Sequence, residues 1–168
     1  LRICEDVVFL LHLCARSQRA GVTCTPGAVY LVHEQGLIRS DRLRDVLTHA
    51  GKLTVHLAQV IKYGRFFRFT PQVFAMIGRN ESENFHLEAL QDESEWMFKP
   101  VNCLGPVALG VGDLDAEVRR KTASILARYA DRPADGQVLV AARQGPEGRD
   151  EMILTGALEP ERAGAARI

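Results

Sequence analysis

The stretch VFAMIGRNESEN, residues 73–84, decides how the chain is read. Its first half, Val73 to Ile77, is an unbroken apolar run with a β-branched residue at either end and a phenylalanine inside it, which predicts a short buried strand. Gly78 and Arg79 break the run. Asn80 then stands where a helix N-cap belongs, with Glu83 three residues on to complete a capping box, so the spacing predicts a helix of about ten residues with Phe85, Leu87 and Leu90 inward. Such a helix aims its first N–H groups and its positive dipole end back at Gly78 and Arg79, an arrangement suited to an anion. The same residues also read as a well-capped strand-to-helix turn, in which Glu81 and Glu83 complement the dipole internally.

Upstream of this corner the pattern is helical. Val7, Leu10, Leu11 and Cys14 fall at helical spacing within 3–16, Leu43, Val46 and Leu47 form a stripe within 37–47, and Leu53, Leu57, Val60 and Ile61 form another over 53–62. Thr25-Pro26-Gly27 breaks the chain, and the run Ala28 to Val32 fits either a strand or a helical turn. From Arg65 to Gly78 the text changes to loop and strand. Trp96-Met97-Phe98 and Val107-Ala108-Leu109 read as further strands across the turn Leu104-Gly105-Pro106. Asp113 or Asp115 opens the longest helix, to Ala130, with Val118, Ile125, Leu126 and Tyr129 on its buried stripe, and Asp131-Arg132-Pro133 stops it. Gln137–Ala142 and Met152–Thr155 read as a hairpin. The predicted fold is α+β: a helical annex over 1–62, a small mixed domain over 63–158 with a mainly antiparallel sheet, and a tail over 159–168.

Composition narrows the function classes. The chain has 168 residues, 46% of them hydrophobic, and 21 basic residues balance 21 acidic ones, so a polyanion site has to be a local patch. The apolar run Val7 to Leu11, flanked by Glu5 and Asp6, falls well short of the roughly 18 residues of a membrane helix and lacks a signal peptide's basic flank. The expected compartment is therefore the cytoplasm, where Cys4, Cys14, Cys24 and Cys103 stay reduced. A chain beginning at Leu1 is expected to be the C-terminal part of something longer.

The sequence has no Walker loop, no GxGxxG after a strand, no HExxH and no GxSxG. The five histidines are scattered, no Cys or His pair has zinc spacing, and Cys103 lacks a base in a recognisable arrangement. Catalytic residues, metal and cofactors are accordingly expected to be none. What remains is charge. From Lys62 through Arg79 the chain carries four cations, Lys62, Arg65, Arg68 and Arg79, and no carboxylate. Guanidinium groups fork onto phosphate oxygens and aromatic faces stack on unpaired bases, which suits single-stranded or looped RNA. The alternative reading makes the phenylalanines core and the arginines solvated. The helix carrying Arg119, Arg120, Lys121 and Arg128 is a second basic run, with Glu117 paired to Lys121 four residues on.

With those residues in view, FRFTPQVFAMIGRNESEN (67–84) followed by EWMFKPVNCLGPVALGVG (95–112) resembles the RNA-binding domain named NFACT-R, in the variant appended C-terminally to bacterial PP-loop proteins of tRNA-thiolation type. Gly78, Arg79, Asn80, Glu83 and Asn84 match that family's Gly-Arg-Asn corner and helix start, and Leu104-Gly105-Pro106 its turn. Ala127-Arg128-Tyr129 matches its later helix end. The segment RLRDVLTHAGKLTVHLAQVIKYGRFFRF (42–69) is similar to the stretch preceding the domain in those PP-loop proteins. The family's Asp-x-Trp-x-His keeps only Trp96, with Ser94 and Phe98 in the flanking places. Phe67 stands where a histidine is common, and Gly27 to Val32 lack the family's cysteine element. The resemblance implies a non-catalytic, tRNA-facing RNA-binding module, with an ATP-pyrophosphatase domain upstream in cis or in trans and a sulfurtransferase-type enzyme as the parent protein. The RNA-binding residues expected on this reading are Arg65, Arg68 and Arg79 for phosphates, Asn84 at the matched corner, and Trp96 with Lys99 for a base or ribose. The rival expectation is a protein-interaction or dimerisation domain that buries the aromatic edge Phe66 and Phe69 against another chain.

Overall fold

A computed structural model describes residues 54–131 and 133–156, residue 46, and the backbone of three strands between residues 21 and 38. The chain divides into two compact units, Leu1–Ala58 and Gln59–Ile168.

In the first unit β1 (Gly21–Thr25), β2 (Ala28–His33) and β3 (Gly36–Ile38) form an antiparallel meander. The meander stands within the annex expected over 1–62, where the sequence of Ala28 to Val32 fits either a strand or a helical turn. The run Ala28 to Val32 resolves as strand, and Thr25 at the end of β1 pairs with Ala28 at the start of β2. The β-branched and aromatic residues Val29, Tyr30 and Val32 favour the pleat over a helix there. The helix expected over 3–16 lies outside the described residues, as does most of that over 37–47, whose first residues belong to β3. Helix α1 (Val55–Val60) lies within the helix expected over 53–62.

The second unit is built on a six-stranded antiparallel sheet, so the α+β class holds for this unit. The strands are β4 (Arg65–Arg68), β5 (Phe74–Ile77), β6 (Trp96–Pro100), β7 (Ala108–Val111), β8 (Gln137–Gln144) and β9 (Asp150–Gly156), in the spatial order β4-β5-β7-β6-β8-β9. Two helices accompany them, α2 (Glu81–Leu90) after β5 and α3 (Ala116–Tyr129) after β7. The hairpin expected from 137 to 155 forms and is longer than read, with Gln137 opposite Gly156 and Arg143 opposite Asp150.

Directly paired residues in an antiparallel sheet share a face, so the register sorts every strand side chain. Phe67, Ala75, Ile77, Ala108, Phe98, Ala142, Val140 and Ile153 lie on one face. That face packs under α3, whose Val118, Ile125 and Leu126 complete the main core. Asp115 is the α3 cap and accepts from Val118 N at 2.8 Å, which settles the choice between Asp113 and Asp115. The opposite face carries Phe66, Arg68, Phe74, Met76, Leu109, Met97 and Lys99. Helix α2 lies on that side, as the Lys99–Glu88 ion pair shows. Both faces being covered there, Phe66 and Phe67 are buried although they point in opposite directions. Each contributes about 1.5–3 kcal/mol by leaving water.

Candidate functional site

The corner between β5 and α2 is tied to the turn before β4. Asn80 caps α2, its side-chain oxygen accepting from Glu83 N at 2.9 Å. Glu83 does not return the bond to Asn80, so the expected capping box is not closed in the expected way. Its carboxylate instead accepts from Arg79 N at 2.8 Å and, across the fold, from Gly64 N at 3.2 Å. The charge that would have offset the helix dipole locally therefore joins two chain segments.

Gly64 has φ 77°, a left-handed backbone, and a Cβ there would overlap the Ile77 carbonyl oxygen. Gly78 has ordinary φ but no room, because a Cβ would overlap Oδ1 of Asn84. That oxygen accepts from Val107 N at 3.2 Å, and Gly78 N donates to Val107 O at 3.0 Å, so Asn84 and Gly78 together set the start of β7. The glycine is needed to make space for an asparagine.

Two of the expected cations meet at this corner. Arg65 donates from Nη1 to the Gly78 carbonyl at 3.2 Å, and Arg79 donates from Nη2 to the Gly64 carbonyl at 2.8 Å. Arg65 also lies over the Tyr129 ring, 4.4 Å from its centroid. Arg79 stands 3.9 Å from the Glu83 carboxylate, a long ion pair, with 47% of its side chain exposed. Each guanidinium has five N–H donors and spends only part of them on these backbone oxygens. The rest present a forked cationic surface.

The other expected residues lie elsewhere. Arg68 is three residues along β4 from Arg65 and so faces the α2 side rather than the α3 side. It is partly buried, and desolvation lowers its pKa from the usual arginine value. Trp96 is half-buried on the α3 face beneath Arg119, whose guanidinium lies 4.5 Å from a ring centroid. Arg119 also bonds Glu151 Oε2 and the Leu114 carbonyl. Lys99 is on the opposite face, paired with Glu88 at 2.8 Å. An odd separation along one strand puts Trp96 and Lys99 on opposite sides, so the sheet does not bring them to one base or ribose.

Three aromatic residues near the corner, Tyr63, Phe85 and His86, are not among the expected contacts. Tyr63 stacks on His86, centroids 4.5 Å apart and planes 18° from parallel. Phe85, counted as an inner residue of α2, is 70% exposed. The helical period carried the missing signal: Leu87 is the residue α2 buries, and Phe85 lies two positions, about 200°, around the helix from it. Among the described residues no group of His, Cys, Asp or Glu is arranged to hold a metal ion, and no helix is long and apolar enough to cross a membrane.

Residues 64–165 match the family model described as the NFACT protein RNA binding domain. The chain belongs to this family. It is thus an NFACT RNA-binding domain with an additional N-terminal stretch, and RNA is the partner that the family assigns to it. Its fold is shared with the C-terminal part of the fibronectin/fibrinogen-binding protein from Streptococcus suis, with TM-score 0.54 at 17% identity over 76% of this chain. The match spans 60% of that chain. No curated protein matches the sequence.

Proposed function

We propose that the Arg65–Arg79 corner is where this NFACT RNA-binding domain takes RNA phosphates, and that the RNA is tRNA. On this reading the domain works in the cytoplasm beside a PP-loop-type modification enzyme, joined in cis or met in trans. The tRNA and PP-loop parts of the reading draw on the sequence resemblance over 42–69 and 67–112. The observation that carries the phosphate site is the pair of crossed bonds from Arg65 to Gly78 and from Arg79 to Gly64. Backbone oxygens hold both guanidiniums before any ligand arrives, which lowers the entropy lost on binding. Backbone carbonyls are neutral partners, and the Glu83 carboxylate beside them stands 3.9 Å from the Arg79 guanidinium, so it offsets that charge less than a short pair would.

The test is equilibrium binding of tRNA, and of an unrelated structured RNA of equal length, across a salt series. The log–log slope falls by roughly 0.7–0.9 for each phosphate contact removed, so Arg65→Glu with Arg79→Glu reduces both affinity and slope. An unchanged slope ends the phosphate reading. Equal affinity for the unrelated RNA ends the tRNA assignment while leaving the corner in place.

A second reading, a protein-interaction surface, rests on Met152 and Leu154, 51% and 64% exposed on one face of the edge strand β9. It no longer draws on Phe66, which is 1% exposed within its own unit. The streptococcal protein's name describes a binder of fibronectin and fibrinogen, but a likeness at 17% identity carries the fold alone. Light scattering on the wild type and on Met152→Lys with Leu154→Lys distinguishes the readings. A dimer that this double change dissolves, with tRNA binding absent throughout, favours the second.

A further inference from the structure

The phenylalanines of β4 and β5 are core, as the alternative reading of the sequence has them: Phe66, Phe67 and Phe74 are 1%, 0% and 3% exposed. Aromatic surface nevertheless occurs beside the paired arginines, on residues that the family match does not single out. We infer that Tyr63, His86 and Phe85 form a stacking platform for an unpaired nucleotide whose phosphate is held by Arg79. The inference rests on the phosphate reading of the Arg65–Arg79 corner and narrows its ligand to single-stranded or looped RNA.

The residues are linked into one surface. Arg79 donates to the Gly64 carbonyl, and Glu83 accepts from the N–H groups of both Gly64 and Arg79. Tyr63, next to Gly64 in the chain, stacks on His86 of α2. His86 lies beside Phe85, whose ring meets it edge-on at 6.0 Å and 87°. Arg79 precedes the Asn80 cap and is tied to α2 through Glu83, which His86 follows at i+3. The carboxylate holding the corner and the Tyr63–His86 stack are therefore neighbours on the helix, and Phe85 extends that surface through its edge contact with His86. The carboxylate between them is spent on two backbone donors and is 18% exposed, which limits its repulsion of a phosphate.

The polar atoms of the platform are set as well. A carbonyl only accepts, so the 2.6 Å contact between His86 Nδ1 and Ser82 O places a proton on Nδ1. That bond fixes the ring and leaves Nε2 as its remaining polar atom, an acceptor in the neutral form for a base N–H or a ribose hydroxyl. A duplex keeps its base faces inside the helical stack, whereas an unpaired base offers a face to an aromatic side chain. A ring 70% exposed at the edge of the Tyr63–His86 stack therefore selects for the unpaired form.

The experiment uses the full chain and fluorescence anisotropy with three labelled probes: a single-stranded 12-mer, a stem-loop presenting that sequence in its loop, and the blunt duplex. The variants are Phe85→Ala, Phe85→Tyr, His86→Ala and Arg79→Glu, each confirmed folded by its thermal melt. The wild type binds the single strand and the loop more tightly than the duplex. Phe85→Ala weakens single-strand binding by about 5- to 150-fold, the span of base–aromatic stacking, and Phe85→Tyr restores it. The single-strand preference collapses in Phe85→Ala and in His86→Ala. Loss of binding in Arg79→Glu with no change in Phe85→Ala overturns the platform and leaves the phosphate site standing. No effect of Arg79→Glu overturns both.

Discussion

Arg65 and Arg79 each donate a hydrogen bond to the carbonyl of the glycine that precedes the other, Arg65 to Gly78 at 3.2 Å and Arg79 to Gly64 at 2.8 Å. The crossing closes the end of the β4–β5 pair, where Arg65 sits opposite Ile77. An arginine has donors left for a ligand after such a bond, and its planar fork keeps their direction. A lysine keeps the charge but not the geometry. Arg65→Lys and Arg79→Lys are each expected to cost about 0.5–1.5 kcal/mol in urea unfolding, the net value of an ordinary hydrogen bond. Unchanged midpoints for both would mean that the crossed bonds do not hold in solution.

Glu83 is expected to matter more than the cap it accompanies. Asn80→Ala removes one bond to Glu83 N, worth about 1 kcal/mol for an N-cap. Glu83→Ala removes the acceptor of two backbone N–H groups, one of them on a segment 19 residues away. Bonds to a charged group are worth about 1.5–3 kcal/mol, so Glu83→Ala should lower the unfolding free energy by more than Asn80→Ala. Glu83→Gln, which keeps an acceptor oxygen, should recover part of the loss. Chemical denaturation of the three variants gives the order, and equal losses for both alanine substitutions would count against the bridging role.

Gly78 and Asn84 form a steric pair, since a Cβ on Gly78 would overlap the Asn84 amide oxygen. Gly78→Ala alone is expected to be strongly destabilising, and less so where Asn84→Ala has already removed that oxygen. The double-mutant cycle should show a coupling of about 0.5–3 kcal/mol between residues in contact. Additive losses would place the strain at Gly78 elsewhere.

Local signals were legible in the sequence and distant ones were not. The Asn80 cap, a helix start at Asp113 or Asp115 and a hairpin of Gln137–Ala142 with Met152–Thr155 depend on neighbours a few residues apart. Periodicity plus capping chemistry is enough to find them, although not to choose Asp115 or to give the hairpin its full length. The target of the Glu83 carboxylate lies across the fold, and a capping-box reading sends it to the wrong partner. The bond between Asn84 and Val107 is hidden for the same reason, which is why Asn84 reads as a contact residue when its carbonyl oxygen anchors a strand. Trp96 and Lys99 are a different case. Their odd spacing on one strand already places them on opposite faces, but the sequence does not say that both faces are covered by helices. The aromatic content near the corner was visible, whereas its division into buried Phe66, Phe67 and Phe74 and exposed Phe85 required knowing what packs above and below the sheet.

Trp96 is the sole tryptophan, so intrinsic fluorescence reports directly on its packing under Arg119. Arg119→Ala removes the overlying guanidinium and the Glu151 partner together. The emission maximum should move to the red and iodide quenching should rise, with a stability loss of about 0.5–1 kcal/mol from the cation–π contact. Lys121→Ala, whose exposed pair with Glu117 lies on the same helix, should change neither reading. An Arg119→Ala spectrum identical to wild type would show that Trp96 is shielded by something other than the guanidinium.

Cys103 lies half-buried in the loop after β6, and burial first, then the nearby Asp131 carboxylate, raises its thiol pKa. Both causes disfavour the thiolate, which is the reactive form. The sign of the linkage follows: a folded-state pKa above the unfolded one makes the contribution to stability complete below the unfolded value, and it is lost as pH rises through the folded value. At mildly alkaline pH, Cys103 should therefore alkylate with iodoacetamide more slowly in the native chain than in urea, read by mass spectrometry of its own peptide. Asp131→Asn should speed the native reaction modestly, because Asp131 is exposed and its field is screened, and the gain should shrink as salt is added. Native and unfolded rates that coincide across the pH series would mean that the loop opens faster than the thiol reacts, and that Asp131 has no hold on Cys103.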